Sequence, residues 1–278
     1  MIQDLQNAPE LPNEVARFVT QQPLSFLTMS DSKFQLGQAP IIEAVLDIDC
    51  ALPPSLKLEE METPARDVFR ANYPKFRKQL LLQHSIKQAA EGPAEVSGSK
   101  ALQAFQFLTD DEKQLIQIRN SGFSFNRLEP YSSLDDYIPE IQKQWEAYRS
   151  LVAPVRVRRI ALRFINRLLL PVDGGNLKLS DHLRQAPQIP EETRLSLTGF
   201  LHQHQAMEEG TGNQVAIILA SQPVEDDSLP VILDITASRD CRLDPQDWEE
   251  ISTVISSLRV LKNQVFRQSL TEPCLSRY

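Results

Sequence analysis

Three arginines lie four residues apart in a segment that is otherwise apolar. The segment RRIALRFINRLLLP, residues 158–171, contains Arg159, Arg163 and Arg167. Guanidinium groups bind carboxylates and phosphates in a bidentate manner, so these side chains either bind an anion or form internal ion pairs. Positions four apart on a strand are about 13 Å distant, so the three cannot grip one phosphate together. They would line an elongated anionic ligand, or each would pair with a carboxylate of the fold.

Acidic side chains on other predicted strands supply the complementary charges. Glu43, Asp47 and Asp49 alternate with apolar residues in APIIEAVLDID (39–49), and Asp234 has apolar neighbours in LDIT (233–236). Three acids on one strand face either bind Mg²⁺ or pair with arginines from a neighbouring strand. The sequence favours pairing, because an unpaired buried charge is costly.

The arginine pairing gives a specific expectation. We expect Arg163 and Arg127 to be at least half buried and to contact a carboxylate each, with Glu43 as the favoured partner. The alternative, in which these arginines form a ligand site, remains open at this point.

Other chemical signals are weak. His202 and His204, in LHQHQ, would share one face of a strand and supply two metal ligands, but a third would have to come from elsewhere. The motifs GxGxxG, GxxxxGK[ST], HExxH and GxSxG are absent, and the chain has nine glycines. We therefore predict neither a cofactor nor a metal site, and a nucleophile–base pair is not recognisable.

The composition of the chain indicates which kinds of partner and which cellular compartment to expect. The formal net charge of −8 argues against general nucleic-acid binding. Three distant cysteines indicate a reducing compartment. No run of about 18 apolar residues is present, and the N-terminus lacks the basic start and apolar centre of a signal peptide. These features predict a cytoplasmic protein without a membrane partner.

Hydrophobic periodicity predicts an α+β protein with mostly antiparallel sheets and long packed helices. The arginine-bearing segment favours a strand whose core face carries Ile160, Leu162, Phe164 and Leu168. The apolar face switches at NSG (120–122), which predicts a bulge or tight turn. Amphipathic helices are predicted for residues 132–152, capped by Ser132 or Ser133, and for a long final segment capped by Asp244.

These elements predict two similar halves. The order β-α-β-β-β-α occurs twice, in residues 36–153 and 154–278, although no convincing residue-level repeat accompanies it. Residues 1–35 are predicted to be a peripheral N-terminal extension.

Five ordered pieces of the chain resemble a sporadically distributed family of uncharacterised bacterial proteins of roughly this length. They are APIIEAVLDID, GFSFNRLEPYSSLDDY, RRIALRFINRLLLP, and LDIT with LKNQVFRQSLT. The resemblance implies that Glu43, Arg127, Arg163 and Asn166 form a recurrent polar set. Other positions that match the family pattern are Pro40, Phe125, Pro130, Tyr131, Arg167 and Asp234. Leu134 and Phe164 depart from it, since Trp and Tyr are common there.

The combined reading favours a non-enzymatic binding or regulatory protein that acts with a partner protein in a bacterial cell. A defence or toxin–antitoxin context would suit a sporadic distribution. The alternative is a metal-dependent phosphohydrolase or nucleotide-binding enzyme, with an acidic strand face on Mg²⁺ and an arginine stripe on an anionic small molecule or nucleotide.

Overall fold

The protein is built on one nine-stranded sheet. The structure, a computed structural model, describes residues 36–87, 95–190 and 195–278. The strand order is β2-β3-β4-β5-β1-β6-β9-β8-β7, and every neighbouring pair is antiparallel. The bounds are β1 Ile41–Ala51, β2 Lys75–Lys87, β3 Glu95–Leu108, β4 Gln114–Arg119, β5 Gly122–Leu128, β6 Arg156–Pro171, β7 Leu201–Met207, β8 Gln214–Ser221 and β9 Ser228–Leu243. The predicted α+β class with mostly antiparallel strands is confirmed. The predicted extension, residues 1–35, lies outside the described residues.

The alternation of side chains along β1 and β6 places apolar residues on one face of the sheet and most of the polar residues on the other. Ala44, Leu46 and Ile48 are buried on one face of β1, and Leu46 lies opposite Leu162 of β6. The predicted core face of β6 is confirmed, since Ile160, Leu162, Phe164 and Leu168 are all buried. Between the bulges that interrupt them, these strands alternate because successive Cβ atoms point to opposite faces.

Helices α1, α2 and α3 pack against the same face of the sheet. The helix bounds are α1 Glu62–Phe69, α2 Leu134–Val152, α3 Trp248–Ser269 and α4 Glu272–Leu275, with short 3₁₀ turns at Leu58–Met61 and Leu179–Asp181. The ring centre of Phe69 of α1 lies 5.2 Å from that of Phe107, and the ring centre of Trp145 of α2 lies 6.0 Å from that of Phe123. Helix α3 packs on β6 and β9. The described side chains of both layers form one continuous core.

The opposite face of the sheet carries none of the described helices, and we call it the open face. Its side chains at the centre of the sheet are Glu43, Val45, Asp47 and Asp49 of β1, Ser124 and Asn126 of β5, Arg159, Ala161, Arg163, Ile165 and Arg167 of β6, and Asp234, Thr236 and Ser238 of β9.

The observed element order differs from the predicted one. Residues 36–153 contain five strands, because residues 114–128 form two strands joined by a tight turn at Asn120–Ser121. The described part of residues 154–278 contains four strands, with a 3₁₀ turn where a helix was expected. Two of the four helices, α1 and α4, are short. Antiparallel pairing of β1 with β6 joins the two halves within one sheet.

The predicted N-cap of α2 is confirmed, whereas the predicted N-cap of α3 is wrong. Ser133 caps α2, its side chain accepting a hydrogen bond from the Asp135 amide. Helix α3 is capped by Asp247 instead of Asp244, because Asp244 accepts from the Gln246 amide in the preceding turn. None of the described helices has the length and apolar character needed to cross a lipid bilayer.

Candidate functional site

The predicted acids and most of the predicted arginines do share the open face. Cross-strand pairing aligns Val45 with Arg163 and Arg163 with Thr236. One row further along, Ile165 lies between Glu43 and Asp234. Both carboxylates are therefore diagonal neighbours of Arg163 on adjacent strands, within reach of a long side chain.

Arg163 pairs with Asp234. Its Nε lies 3.0 Å from Oδ1 and its Nη2 lies 2.6 Å from Oδ2, a bidentate arrangement. The Asp234 side chain is 8% exposed, whereas the Arg163 side chain is 46% exposed. The hydrogen bonds to Asp234 raise the pKa of Arg163, with burial acting in the opposite direction. The expected carboxylate contact of Arg163 is thus confirmed, whereas Arg163 is an exposed residue of β6 and not the half-buried one expected.

The expected partner of Arg163 was wrong. Glu43 instead accepts a hydrogen bond from Nδ2 of Asn126, at 2.7 Å, on the β5 side of β1. Both acids were diagonal candidates on the sheet, and the neighbouring amide on β5 engages Glu43. The negative charge of Glu43 nevertheless contributes to the raised pKa of Arg163.

The expectation for Arg127 is confirmed for its burial and wrong for its partner, since the residue is mostly buried but meets no described carboxylate. Arg127 follows Phe123 and Phe125 on the helix side of β5, so it faces α2 and not the acids of the open face. Its guanidinium lies 5.4 Å from the centre of the Tyr137 ring, and Nη2 donates to the Pro130 carbonyl at 3.4 Å. Among the described residues, no carboxylate lies within 4.0 Å of this guanidinium.

Asp47 and Asp49 are held by an arginine that the sequence reading missed. Nη2 of Arg119 lies 3.1 Å from Oδ1 of Asp47 and 3.0 Å from Oδ1 of Asp49. Ser124 also donates to Asp47, and Arg159 lies 3.7 Å from Asp49. The alternation of β4, which buries Ile116 and Ile118, would have placed Arg119 on the open face.

Arg167 and Asn166 lie apart from this cluster. Arg167 pairs with Glu225, in the connection between β8 and β9, with Nη2 2.5 Å from Oε2. Asn166 is buried on the helix side of β6, where Nδ2 donates to the Leu233 carbonyl at 2.9 Å. The structure therefore divides the predicted site residues between two faces of the sheet.

The open face is a network of mutually paired charges. Asp47, Asp49 and Asp234 each contact an arginine of the same face, and Glu43 accepts from Asn126. Within the described ranges, no group of three or more His, Cys, Asp or Glu side chains is placed to hold a metal ion. His202 and His204 lie on the edge strand β7, their ring centres 6.2 Å apart.

A cavity of about 50 Å³ lies on the helix side, between the start of α2, helix α3 and β6. Its polar lining includes Lys262 and Arg259 of α3, Asn166 of β6, and Tyr131 at the entry to α2. Sequence reasoning missed Lys262, although its spacing of four residues from both Leu258 and Phe266 places it on the buried stripe of α3.

Burial and the nearby charge of Arg259 lower the pKa of Lys262 to about 7. Its Nζ lies 3.9 Å from the centre of the Phe164 ring. Arg259 makes a bidentate pair with Asp135 at the start of α2, at 2.6 and 2.9 Å. The cavity therefore contains one cation paired with a carboxylate and one cation stacked on an aromatic ring.

No protein-family model matches the chain, and no curated protein matches it.

Proposed function

We propose that this protein is a non-enzymatic binding protein that recruits a partner protein through an extended hairpin. The observation that carries the proposal is the shape of β2 and β3. Strand β4 pairs only with Ala104–Leu108 of β3, whereas β2 and β3 continue to pair as far as Lys87 and Glu95. Residues 80–87 and 95–102 form a two-stranded ribbon, which we call the β2–β3 arm. It extends about 26 Å beyond the sheet at 3.3 Å per residue.

The surface of this arm is unusually apolar at its base. Leu80, Leu81 and Leu82 are consecutive and are 50%, 42% and 57% exposed. Consecutive residues of a strand point to opposite faces, so leucines emerge on both sides of the ribbon. An isolated two-stranded ribbon is marginal in water, and an apolar edge strand is a template for another strand.

Charge indicates the chemistry of the partner. Strand β2 carries Lys75, Arg77, Lys78 and Lys87 and no acidic residue, although the whole chain has a net charge of −8. Near the sheet these cations are already paired, Lys75 and Arg77 with Glu112 and Lys78 with Glu62. We propose that an extended segment of the partner, with apolar side chains flanked by acidic ones, adds to the edge of β2 that no described strand pairs with.

The test is co-purification with the products of neighbouring genes. We expect the full chain to retain one such product, and Leu81→Glu to reduce retention at least tenfold, because a charge cannot be buried in the added strand. The control is Leu201→Glu, since Leu201 is 70% exposed on the other edge strand. Retention by Leu81→Glu, or self-association of the chain through the arm in place of partner binding, would contradict the proposal.

The enzyme alternative remains a second proposal. It is favoured by the presence of Asp47, Asp49 and the arginines of β6 on one face, and it requires Mg²⁺ to displace Arg119 from the acids. Thermal-shift measurements with nucleotides and Mg²⁺ or Mn²⁺ test it. A ligand present at 100 times its dissociation constant would stabilise the fold by about 2.7 kcal/mol. No stabilisation by any phosphate ligand would remove this alternative.

Three further proposals concern origin and place. We propose that the chain belongs to the family it resembles, that it acts in the cytoplasm, and that its halves derive from a duplicated unit. The antiparallel pairing of β1 with β6, each followed later by a long helix on the same face, supports the last proposal. Superposition of β1, β5 and α2 on β6, β9 and α3 tests it, since a common origin requires one rotation to align all three elements.

A further inference from the structure

The geometry of the cavity between α2, α3 and β6 points to a second site, which we infer to bind a small monocarboxylate. The site is independent of the β2–β3 arm, because it lies on the helix side of β6, five strands away in the sheet. Lys262 would hold the carboxylate, and the apolar part of the cavity wall would hold a short aliphatic tail.

The charge of the cavity favours a monoanion. No described carboxylate lies within 4.0 Å of the Lys262 Nζ, and the charged group that acts on it from α3 is Arg259. Arg259 is only 16% exposed and is already neutralised by its bidentate pair with Asp135 of α2. One positive charge is thus left to be matched, which fits a monocarboxylate better than the dianion of phosphate.

The entry to α2 adds to the positive potential. Ser132, Ser133 and Leu134 line the cavity at the N-terminus of a 19-residue helix, where partial positive charge accumulates. Tyr131, the remaining titratable group of the wall, has its pKa raised by burial, so its hydroxyl stays neutral.

The size and lining of the cavity set the length of the ligand. A water molecule needs roughly 10–15 Å³ on this measure, so about 50 Å³ accommodates a ligand of roughly three to five non-hydrogen atoms. Ile41, Leu134, Phe164 and Phe266 supply the apolar part of the wall. Propionate has the required size, a single charge and an aliphatic tail.

Binding is expected to depend on pH in a defined direction. The pKa of Lys262 is about 7 in the free protein, and a bound carboxylate favours the charged ammonium. Affinity for propionate should therefore be highest below pH 7 and fall about tenfold for each pH unit above it, until the pKa of the complex is reached.

The experiment is calorimetric titration of the full chain with propionate at about pH 6, with 1-propanol and inorganic phosphate as comparison ligands. We expect a dissociation constant on the order of 1 mM for propionate. Propanol and phosphate should bind at least tenfold more weakly. Lys262→Met should lose at least tenfold in affinity, whereas Lys143→Met, which removes an exposed lysine of α2, should change it less than twofold.

A second measurement does not depend on the variants. The Nζ resonance of Lys262 in the unmodified chain should titrate near pH 7, and saturating propionate should move that midpoint upward. Equal binding of propionate by Lys262→Met, tighter binding of phosphate, or an unmoved Lys262 midpoint would each overturn the inference. Any of these results would overturn propionate binding alone. Partner binding through the β2–β3 arm would be unaffected, since co-purification tests it separately.

Discussion

At the scale of single residues, the charged side chains of this protein differ in whether an opposite charge lies beside them. Arg163 and Asp234 satisfy each other in a bidentate pair, whereas Lys262 is stacked on Phe164 beside another cation. The first arrangement stabilises a polar sheet face. The second leaves a cation in a cavity, which is the type of perturbed group that marks a binding site.

Removing the arginine of the pair should cost stability. Arg163→Ala leaves the Asp234 carboxylate, 8% exposed, without the bidentate hydrogen bonds from Nε and Nη2 of Arg163. We expect the free energy of unfolding to fall by about 1–3 kcal/mol. A fully buried pair would lose about 3–5 kcal/mol, but the Arg163 side chain is 46% exposed and water partly replaces it.

Urea denaturation measures this change, with Arg156→Ala, which truncates an exposed arginine of the same strand, as the control. The control should remain within about 0.5 kcal/mol of the unmodified chain. An unchanged or increased stability of Arg163→Ala would show instead that Arg163 serves a ligand and not the fold.

Lys262 should make stability depend on pH. Its pKa is about 7 in the fold and near its ordinary value of 10.5 in the unfolded chain, so between these values the unfolded chain holds one more proton. The contribution of Lys262 to the free energy of unfolding therefore rises with pH across that window, by up to about 1.4 kcal/mol per pH unit.

Lys262→Met removes this dependence. The variant should be more stable than the unmodified chain near pH 7, and the difference should shrink towards pH 10. Denaturation midpoints measured over that range provide the check, with Lys143→Met again as the control. A difference that does not vary with pH would contradict the lowered pKa.

At the scale of elements, the turn between β4 and β5 determines how β5 meets β1. Gly122 has a φ of +146°, and a Cβ there would overlap the carbonyl oxygen of Ile48 on β1. Glycine is thus required both by its backbone conformation and by the close approach of the neighbouring strand.

Gly122→Ala should destabilise the protein by at least about 3 kcal/mol, since backbone strain and overlap add. Gly174→Ala is a matched control, because Gly174 also has a positive φ of +56° but has open space around its Cβ position. It should cost only about 1–2 kcal/mol. Thermal denaturation of both variants tests the difference, and equal losses would show that the contact with β1 is unimportant.

At the scale of the whole molecule, one sheet and one core join the predicted halves. Strands β1 and β6 pair at the centre of the sheet, and the buried residues of both halves belong to a single cluster. We expect one cooperative unfolding transition, with a calorimetric enthalpy equal to the van't Hoff enthalpy. Two separate transitions would show that residues 36–153 and 154–278 are independent domains.

The local elements could be predicted from the sequence because their signals are local. Alternation along residues 40–50 and 156–171 identified β1 and β6 and their core faces, and Ser133 was one of the two serines predicted to cap α2. The face switch at residues 120–122 indicated the turn beside Gly122. Each of these depends on neighbouring residues and on the fixed period of a strand or helix.

Pairing between strands was decided only by the tertiary structure. The choice of Asp234 over Glu43 for Arg163 depends on β9 lying beside β6, and the position of Arg127 depends on which face of β5 meets α2. The sheet order that places β6 between β1 and β9 is not encoded in any short segment, since neighbours in the sheet are distant in the sequence. For the same reason, the cavity around Lys262 appears only when α2, α3 and β6 come together. The sequence by itself determined which residues carry charged or polar side chains on each strand and helix. Three-dimensional packing determined which of these side chains come into contact.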